Sequence, residues 1–169
     1  MSLRGHRATS TSHAPTDRYL IATVGLLRCA IPAETVHGIL TLEEGIVTGT
    51  LTVQGQQYPA SDLAGRLGLV EKPAGPETRF VLLAYAGLQA YVRVDHVGGL
   101  VDVEQVNVLP LPPQFRREER SWYSGFILIG DDVAVGLQAR WLVNQIRGNP
   151  LLIGQEGHGV RPMDQRLAC

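Results

Sequence analysis

Glycine and proline interrupt this chain at short intervals, which limits the folds that it can adopt. The 169 residues include 19 Gly and 10 Pro, about one residue in six against an average near one in eight. Both residue types favour turns and weaken the interiors of regular elements. The sequence therefore predicts many turns and many short strands, in one ordinary domain or two very small ones.

Alternating and continuous apolar segments identify the strands. In residues 89–95, Val92 belongs to an apolar face and Tyr91 to the opposite face, which is the pattern of a strand buried on one side. Residues 20–24 and 80–84 are more continuously apolar, so these segments predict strands that are buried on both faces.

Turns and helices are short. Residues 126–137 predict a hairpin that turns at Gly130-Asp-Asp132, because Gly and Asp tolerate turn dihedrals. Short strands with brief helical turns predict an antiparallel barrel or sandwich. A similar order of elements in 20–63 and 80–137 suggests two similar small barrels. The helical segments are 32–36, 61–67 with Ser61 as its N-cap, and 139–146, which ends at Gly148.

The chain divides into a body and two tails. Residues 1–17 are poor in bulky apolar side chains and 148–169 begin with many helix and strand breakers, so both are predicted to be flexible tails around a domain at 18–147. No segment resembles a secretory signal, and the uncharged run 80–92 is far shorter than the ~20 residues that span a bilayer. We expect a cytoplasmic protein that does not insert into membranes directly.

Charge and cysteine content exclude several function classes. With 15 Lys+Arg against 16 Asp+Glu, the net charge of −1 argues against nucleic-acid binding. Cys29 and Cys169 are far apart and lack the spacing of a zinc site or disulfide framework. Asp95 and His96 are adjacent on a strand and point to opposite faces, so they do not form a catalytic pair. We expect no metal and no cofactor, and the residues favour a binding module over an enzyme.

Four segments in order resemble the CheW family of bacterial chemosensory adaptors. The first, Leu20–Leu40, includes Cys29-Ala-Ile-Pro-Ala-Glu-Thr-Val-His-Gly-Ile-Leu40 and is similar to the opening hairpin of that family. The second, Gly49–Leu63, is similar to its Gly-x-x-Asn-Leu-Arg-Gly motif. The third, Val92 to the Pro-containing loop at 110–113, and the fourth, Tyr123–Leu137 with a final helix, follow at the family's spacing.

The resemblance implies a fold and a role. The fold is all-β, with two SH3-like five-stranded β-barrels packed together, short helical turns and a C-terminal helix. The role is a non-enzymatic adaptor that joins chemoreceptors to a CheA-type histidine kinase. One barrel surface would bind the regulatory domain of the kinase, and a groove between the barrels would receive the cytoplasmic helical tip of a methyl-accepting chemoreceptor.

Four residues are carried over as partner-binding candidates by the resemblance: Val36, Gly49, Gln54 and Leu100. Each also has a structural explanation: core packing for Val36 and Leu100, a backbone turn for Gly49, and an exposed polar residue for Gln54. Gln54 stands where the family usually has Arg, which removes a charge-assisted hydrogen bond worth ~1.5–3 kcal/mol to any partner carboxylate.

Two further departures from the family are Thr52 in place of Asn and Cys29 in place of an aromatic residue. Two other functions remain open from the residues alone. One is an SH3-like module that binds a different protein or peptide outside chemosensing, and the other is a small hydrolase that uses Cys29 or His96.

Overall fold

A computed structural model describes residues 16–41 and 49–144. These residues form eleven strands and two short α-helices, with single 3-10 turns at Ala33–Thr35, Gln105–Asn107 and Glu119–Ser121. The strands are β1 (Thr16–Val24), β2 (Leu27–Pro32), β3 (Val36–Thr41), β4 (Thr50–Val53), β5 (Gln56–Ser61), β6 (Arg79–Tyr85), β7 (Leu88–Val94), β8 (His96–Glu104), β9 (Val108–Leu109), β10 (Tyr123–Ile129) and β11 (Asp132–Leu137). The helices are α1 (Leu63–Arg66) and α2 (Ala139–Asn144).

The strands form two curled sheets. The first has the order β8-β1-β2-β11-β10-β9 and the second the order β3-β6-β7-β5-β4. Strand pairs are antiparallel except β2 with β11 and β5 with β7, which pair in parallel. We call the first sheet barrel 1 and the second barrel 2. The predicted fold of two packed SH3-like barrels is confirmed, and barrel 1 carries β9, of two residues, as a sixth strand.

Two-residue turns close the hairpins of barrel 2. Gln54 and Gly55 have φ of 51° and 78°, and Ala86 and Gly87 have φ of 50° and 78°. Two consecutive positive φ values are those of a type I′ turn, whose twist matches the twist of the strands that it joins. In barrel 1 the predicted hairpin turn at 130–132 is shorter than expected, since Asp132 already belongs to β11.

Three apolar clusters hold the molecule together. Each barrel has its own interior, and a larger cluster between the barrels, which we call the shared core, draws on both sheets and both helices. The interior of barrel 1 contains Tyr19, Ile21, Ala30, Val103, Ile127 and Ala134. The interior of barrel 2 contains Tyr58, Phe80, Leu82 and Tyr91. The shared core contains Leu20, Ala22, Val24, Cys29, Ile31, Leu63, Ala64, Val81, Leu83, Val92, Val94, Leu137, Trp141, Leu142 and Val143.

Strands between two clusters are apolar on both faces. In β6, Val81 belongs to the shared core and the next residue, Leu82, to the interior of barrel 2. In β1, Leu20 and Ile21 divide in the same way between the shared core and barrel 1. The prediction that 20–24 and 80–84 are buried on both faces is therefore confirmed, and the two-barrel arrangement explains it.

Two local predictions are wrong. Tyr91 was expected on an exposed face, but it is 5% exposed because that face of β7 lines barrel 2. Ser61 was expected to cap a helix, but it ends β5, and the side chain of Asp62 accepts the hydrogen bond from the Gly65 amide at 2.9 Å instead. Asp and Ser are about equally good N-cap residues, so the sequence alone could not decide whether Ser61 or Asp62 caps the helix.

A stack of side chains fixes α2 against barrel 2. The guanidinium of Arg66 lies 3.8 Å from the ring centroid of Trp141, and it donates hydrogen bonds to the Ser61 hydroxyl and the Trp141 carbonyl. Trp122 stacks on Trp141 with ring centroids 5.8 Å apart. Burial lowers the pKa of Arg66 to about 10, because the charged form is desolvated at this junction.

Several predictions concern residues at or beyond the ends of the described ranges. The short helical segments at 32–36 and 139–146 are found as the turn Ala33–Thr35 and as α2. The stop at Gly148, the thiol of Cys169 and nearly all of both tails lie outside the described residues. Across 16–41 and 49–144, no helix has the length and apolar character needed to cross a bilayer.

Candidate interaction sites

The four partner-binding candidates lie on different elements. Val36 begins β3 and packs, partly buried, against the shared core. Gly49 precedes β4 and is exposed, with φ of 141°, and its carbonyl accepts a hydrogen bond from the Ala60 amide at 3.0 Å. Gln54 is exposed at the tip of the β4–β5 hairpin. Leu100 lies on β8 in barrel 1 and is 60% exposed.

Leu100 marks one apolar border of the shared core. It is directly opposite Leu20 of β1, and directly opposite residues of an antiparallel pair share a face of the sheet. In barrel 2, Ile39 on the edge strand β3 is opposite Val81 and is 42% exposed. Leu20 and Val81 belong to the shared core. Within the described residues, Leu100 and Ile39 therefore continue the sheet faces that cover this core out to solvent as exposed aliphatic side chains.

A cavity of about 320 Å³ opens at one end of barrel 2. Phe80 and Tyr91, which form an edge-to-face pair with ring centroids 5.3 Å apart, belong to the barrel interior and contribute to its lining. Arg93 follows Tyr91 on the same face of β7, and Asp95 lies just beyond the end of that strand. Helix α1 contributes Leu63 and Ala64. We call this cavity the barrel 2 mouth.

Charged groups surround the barrel 2 mouth. Arg93 donates to the Glu71 carboxylate and to the Lys72 carbonyl. Asp95 accepts a hydrogen bond from the Gly25 amide at 2.7 Å, which ties β7 to the β1–β2 turn. Asp62 caps α1. Of the four candidates from the sequence, Gly49 lines this cavity.

Exposed apolar residues lie beside the mouth. Leu26 is 95% exposed and Val70 is 86% exposed. Gly25, which lines the cavity, directly precedes Leu26 and lies close to Val70. A Cβ built at Gly25 would be 3.8 Å from the Val70 carbonyl oxygen. Sequence reasoning missed this site because Asp62 and Val70 are distant from Asp95 in the chain. The available signal was the spacing of Arg93 and Asp95, two residues apart at the end of the segment 89–95 that the sequence predicts as a strand.

The residues considered for catalysis are not brought together. Cys29 is fully buried in the shared core, and desolvation raises the pKa of its thiol to about 12. His96 is exposed, with its Nδ1 3.4 Å from the Glu77 carboxylate. Within residues 16–41 and 49–144, no three His, Cys, Asp or Glu side chains are grouped so that they could hold a metal ion.

Comparison with known proteins agrees with the two-barrel geometry. The profile of the CheW-like domain matches residues 18–147. The chain belongs to the CheW-like domain family. Among solved structures, the scaffolding protein TtCheW from Thermoanaerobacter tengcongensis superposes with a TM-score of 0.62 at 15% sequence identity, covering 73% of this chain and 90% of that one. The search of curated proteins finds no match.

Membership in the CheW-like family assigns the general role. The chain is a non-enzymatic scaffold of the chemotaxis type, so the hydrolase alternative is wrong. The buried, protonated thiol of Cys29 agrees with this result, because a nucleophilic cysteine needs access and a lowered pKa.

Proposed function

We propose that this chain is a cytoplasmic adaptor that couples chemoreceptors to a CheA-type histidine kinase. The family match over residues 18–147 carries the proposal. In this role one surface contacts the regulatory domain of the kinase, and the groove between the barrels receives the helical tip of a receptor.

The apolar border of the shared core supports the receptor contact. A helix in a groove is held by a row of apolar anchors, and Leu100 and Ile39 offer exposed aliphatic side chains, one from each barrel. Cross-strand pairing with Leu20 and Val81 puts both on the inner faces of their sheets. Val36, which begins β3, and Gly49 are proposed as further partner contacts.

Binding to the isolated regulatory domain of the cognate kinase tests the kinase half of the proposal. Titration calorimetry with the purified full chain is expected to show a saturable 1:1 complex. The absence of heat and of a complex at high micromolar concentration would remove the adaptor role for that kinase.

The receptor half is tested with the variant Leu100→Ser and a purified cytoplasmic receptor fragment. Loss of a central apolar anchor is expected to weaken receptor binding at least about fivefold, since such anchors contribute about 1 kcal/mol or more. Val133→Ser is the matched control, because Val133 is a 52% exposed aliphatic strand residue on β11. Equal binding by both variants would place the receptor elsewhere.

The neutral side chain of Gln54 affects which charged groups of a partner the tip of the β4–β5 hairpin can bind. Because Gln54 is exposed in a turn and takes part in neither apolar core of its barrel, Gln54→Arg is expected to leave stability unchanged. We propose that the cognate partner lacks the carboxylate that an arginine would bind. Gln54→Arg then gives no gain in affinity for the cognate kinase or receptor, and a gain of about tenfold or more contradicts the proposal.

A further inference from the structure

We propose that the barrel 2 mouth binds a basic side chain, arginine or lysine, presented by a protein partner. The site combines an apolar floor, an excess of carboxylates at the rim, and exposed apolar residues beside the opening. The proposal needs neither a kinase nor a receptor, so it stands or fails separately from the adaptor role.

The size of the mouth suits a side chain. Its volume of about 320 Å³ is at the small end of the range for ligand sites, and the mouth of a β-barrel is one of the usual places for them. The floor is formed by Leu63, Ala64 and parts of Phe80 and Tyr91. These groups can contact the aliphatic stem of an arginine or lysine while its charged end stays near the rim.

The charge of the rim selects a cation. Three carboxylates, of Asp62, Glu71 and Asp95, face one guanidinium, of Arg93. The two terminal nitrogens of Arg93 already donate to Glu71 and to the Lys72 carbonyl. Its Nε has no hydrogen-bond partner within the described residues, but it is buried from solvent and is therefore out of reach of an incoming anion. Among the lining residues, Asp62 and Asp95 are left without a salt-bridge partner, while Arg66, outside the lining, interacts electrostatically with Asp62.

Both remaining carboxylates are held in place by the backbone. One oxygen of Asp95 accepts from the Gly25 amide, and one oxygen of Asp62 accepts from the Gly65 amide. The second oxygen of each has no side-chain partner within the described part of the chain. Such fixed acceptors form charge-assisted hydrogen bonds with ammonium or guanidinium groups without first being ordered.

The surroundings of the mouth indicate a protein as the source of this cation. Leu26 and Val70 are almost fully exposed beside the cavity lining. Isolated exposed apolar residues are ordinary, but here Leu26 directly follows the lining residue Gly25 and the Val70 backbone lies close to Gly25. A partner that fills the mouth can therefore also cover apolar neighbours, as at an interface with a central anchor. A free small cation would fill the cavity without covering either residue.

Short peptides provide the test. The ¹⁵N-labelled full chain is titrated by NMR with acetyl-Leu-Arg-Leu-amide, with the same peptide carrying citrulline in place of arginine, and with free agmatine. The arginine peptide is expected to shift the amide resonances of Gly25, Ala64 and Asp95 and to half-saturate at about 1 mM. The neutral citrulline peptide is expected to bind at least about fivefold more weakly, and added salt is expected to weaken the arginine peptide.

Variants connect the binding to the rim and to its apolar neighbours. Asp95→Asn keeps an acceptor for the Gly25 amide but removes the charge, and it is expected to weaken the arginine peptide at least about fivefold. Asp131→Asn, an exposed carboxylate in the β10–β11 turn, is the matched control and should leave binding unchanged. The double variant Leu26→Ser, Val70→Ser is expected to reduce the affinity for the peptide to that of agmatine.

Three outcomes would overturn the proposal. The first is no saturable shift at the mouth with the arginine peptide. The second is equal binding of the arginine and citrulline peptides. The third is agmatine binding as tightly as the peptide with no effect of the Leu26 and Val70 substitutions, which would make the mouth a small-molecule pocket. The NMR spectrum of each variant reports directly whether it is folded.

Discussion

Burial determines what the thiol of Cys29 can do. The residue is 0% exposed, and the pKa of its thiol is raised to about 12 because the shared core does not solvate a thiolate. The aromatic residue common at this position in the family is replaced here by a small apolar one, and the site remains a packing position. Its consequences appear in reactivity and in alkaline stability.

Cys29 is expected to resist alkylation in the folded protein. In the variant Cys169→Ser, which leaves Cys29 as the only thiol, reaction with iodoacetamide at pH 8 should be roughly a hundredfold or more slower in buffer than in denaturing urea. The reason is the lower thiolate fraction together with the loss of access. Rapid modification of the folded protein would contradict the buried placement of β2.

The same thiol makes stability fall with alkaline pH. In the unfolded chain the thiol ionises near its ordinary pKa of 9.0, while in the folded protein it stays protonated until about 12. Between these values the unfolded state binds fewer protons, so the free energy of unfolding decreases by up to about 1.4 kcal/mol per pH unit. Urea unfolding from about pH 8 to about pH 10.5 should show a steeper decline for the natural chain than for Cys29→Ala, and parallel declines would refute this.

At the scale of elements, two short segments depend on single side chains for their position. Helix α1 has four residues and the described part of α2 has six, and helices of this length are not stable alone in water. Arg66, which stacks on Trp141 and binds its carbonyl, connects them. Tertiary contacts rather than helix propensity therefore hold both segments.

Arg66→Ala is expected to lower the free energy of unfolding by about 3 kcal/mol, since it removes hydrogen bonds from a charged donor and a cation–π contact. Trp122 and Trp141 are the two tryptophans of the chain, so urea unfolding followed by tryptophan fluorescence reads this junction directly. Arg140→Ala, an exposed change on α2, should stay within about 0.5 kcal/mol. A similar small effect for Arg66→Ala would show that the stack is incidental.

Gly125 controls the approach of β9 to β10. Its φ is 147°, and a Cβ there would overlap the carbonyl oxygen of Leu109, a backbone atom that cannot turn away. We expect Gly125→Ala to cost about 3 kcal/mol or more in chemical denaturation, from backbone strain and displacement of β9.

Gly130→Ala is the control for Gly125→Ala. Gly130 has φ of 59° and no atom within 4 Å of an added Cβ, so the substitution should cost only about 1–2 kcal/mol from the backbone conformation. If both substitutions lower the free energy of unfolding by the same amount, the close approach of Gly125 to Leu109 does not contribute to stability.

At the scale of the whole molecule, the shared core makes the two barrels one cooperative unit. It contains more large buried side chains than either barrel interior and includes residues of β1, β2, β6 and β7. Each barrel interior is small, and small cores rarely sustain a fold alone. Separating the barrels would expose to water the apolar side chains of the shared core that the two barrels bury against each other.

Leu83→Ala tests this cooperativity. Leu83 is 0% exposed in the shared core, so its truncation should cost about 2–5 kcal/mol. Amide hydrogen exchange is expected to lose protection in the strands of both barrels together, although Leu83 belongs to barrel 2. Loss confined to β3–β7 would show that the barrels unfold independently, and Leu26→Ala, at an exposed turn, should change protection in neither.

Local signals in the sequence were enough for the strands but not for the sites. Continuous apolarity in residues 20–24 and 80–84 correctly indicated burial on both faces, and the family resemblance supplied the paired barrels. The alternating pattern wrongly predicted an exposed Tyr91, because the pattern of a single strand does not show that the sheet curls and buries the second face of that strand. The barrel 2 mouth was out of reach for the same reason: Asp62, Arg93 and Asp95 meet only through the closure of the barrel.

The strands between two clusters leave their own alignment weakly specified. In most sheets a slip of one residue turns apolar side chains to water and is rejected. In β6 a slip would exchange Val81 for Leu82 and keep apolar groups on both sides. The hydrophobic pattern of the strand therefore does not determine its pairing register. The register is instead determined by the two-residue turns, such as Ala86-Gly87. One inserted loop residue would produce a well-buried but incorrectly assembled protein, a fault that hydrophobicity alone would not correct.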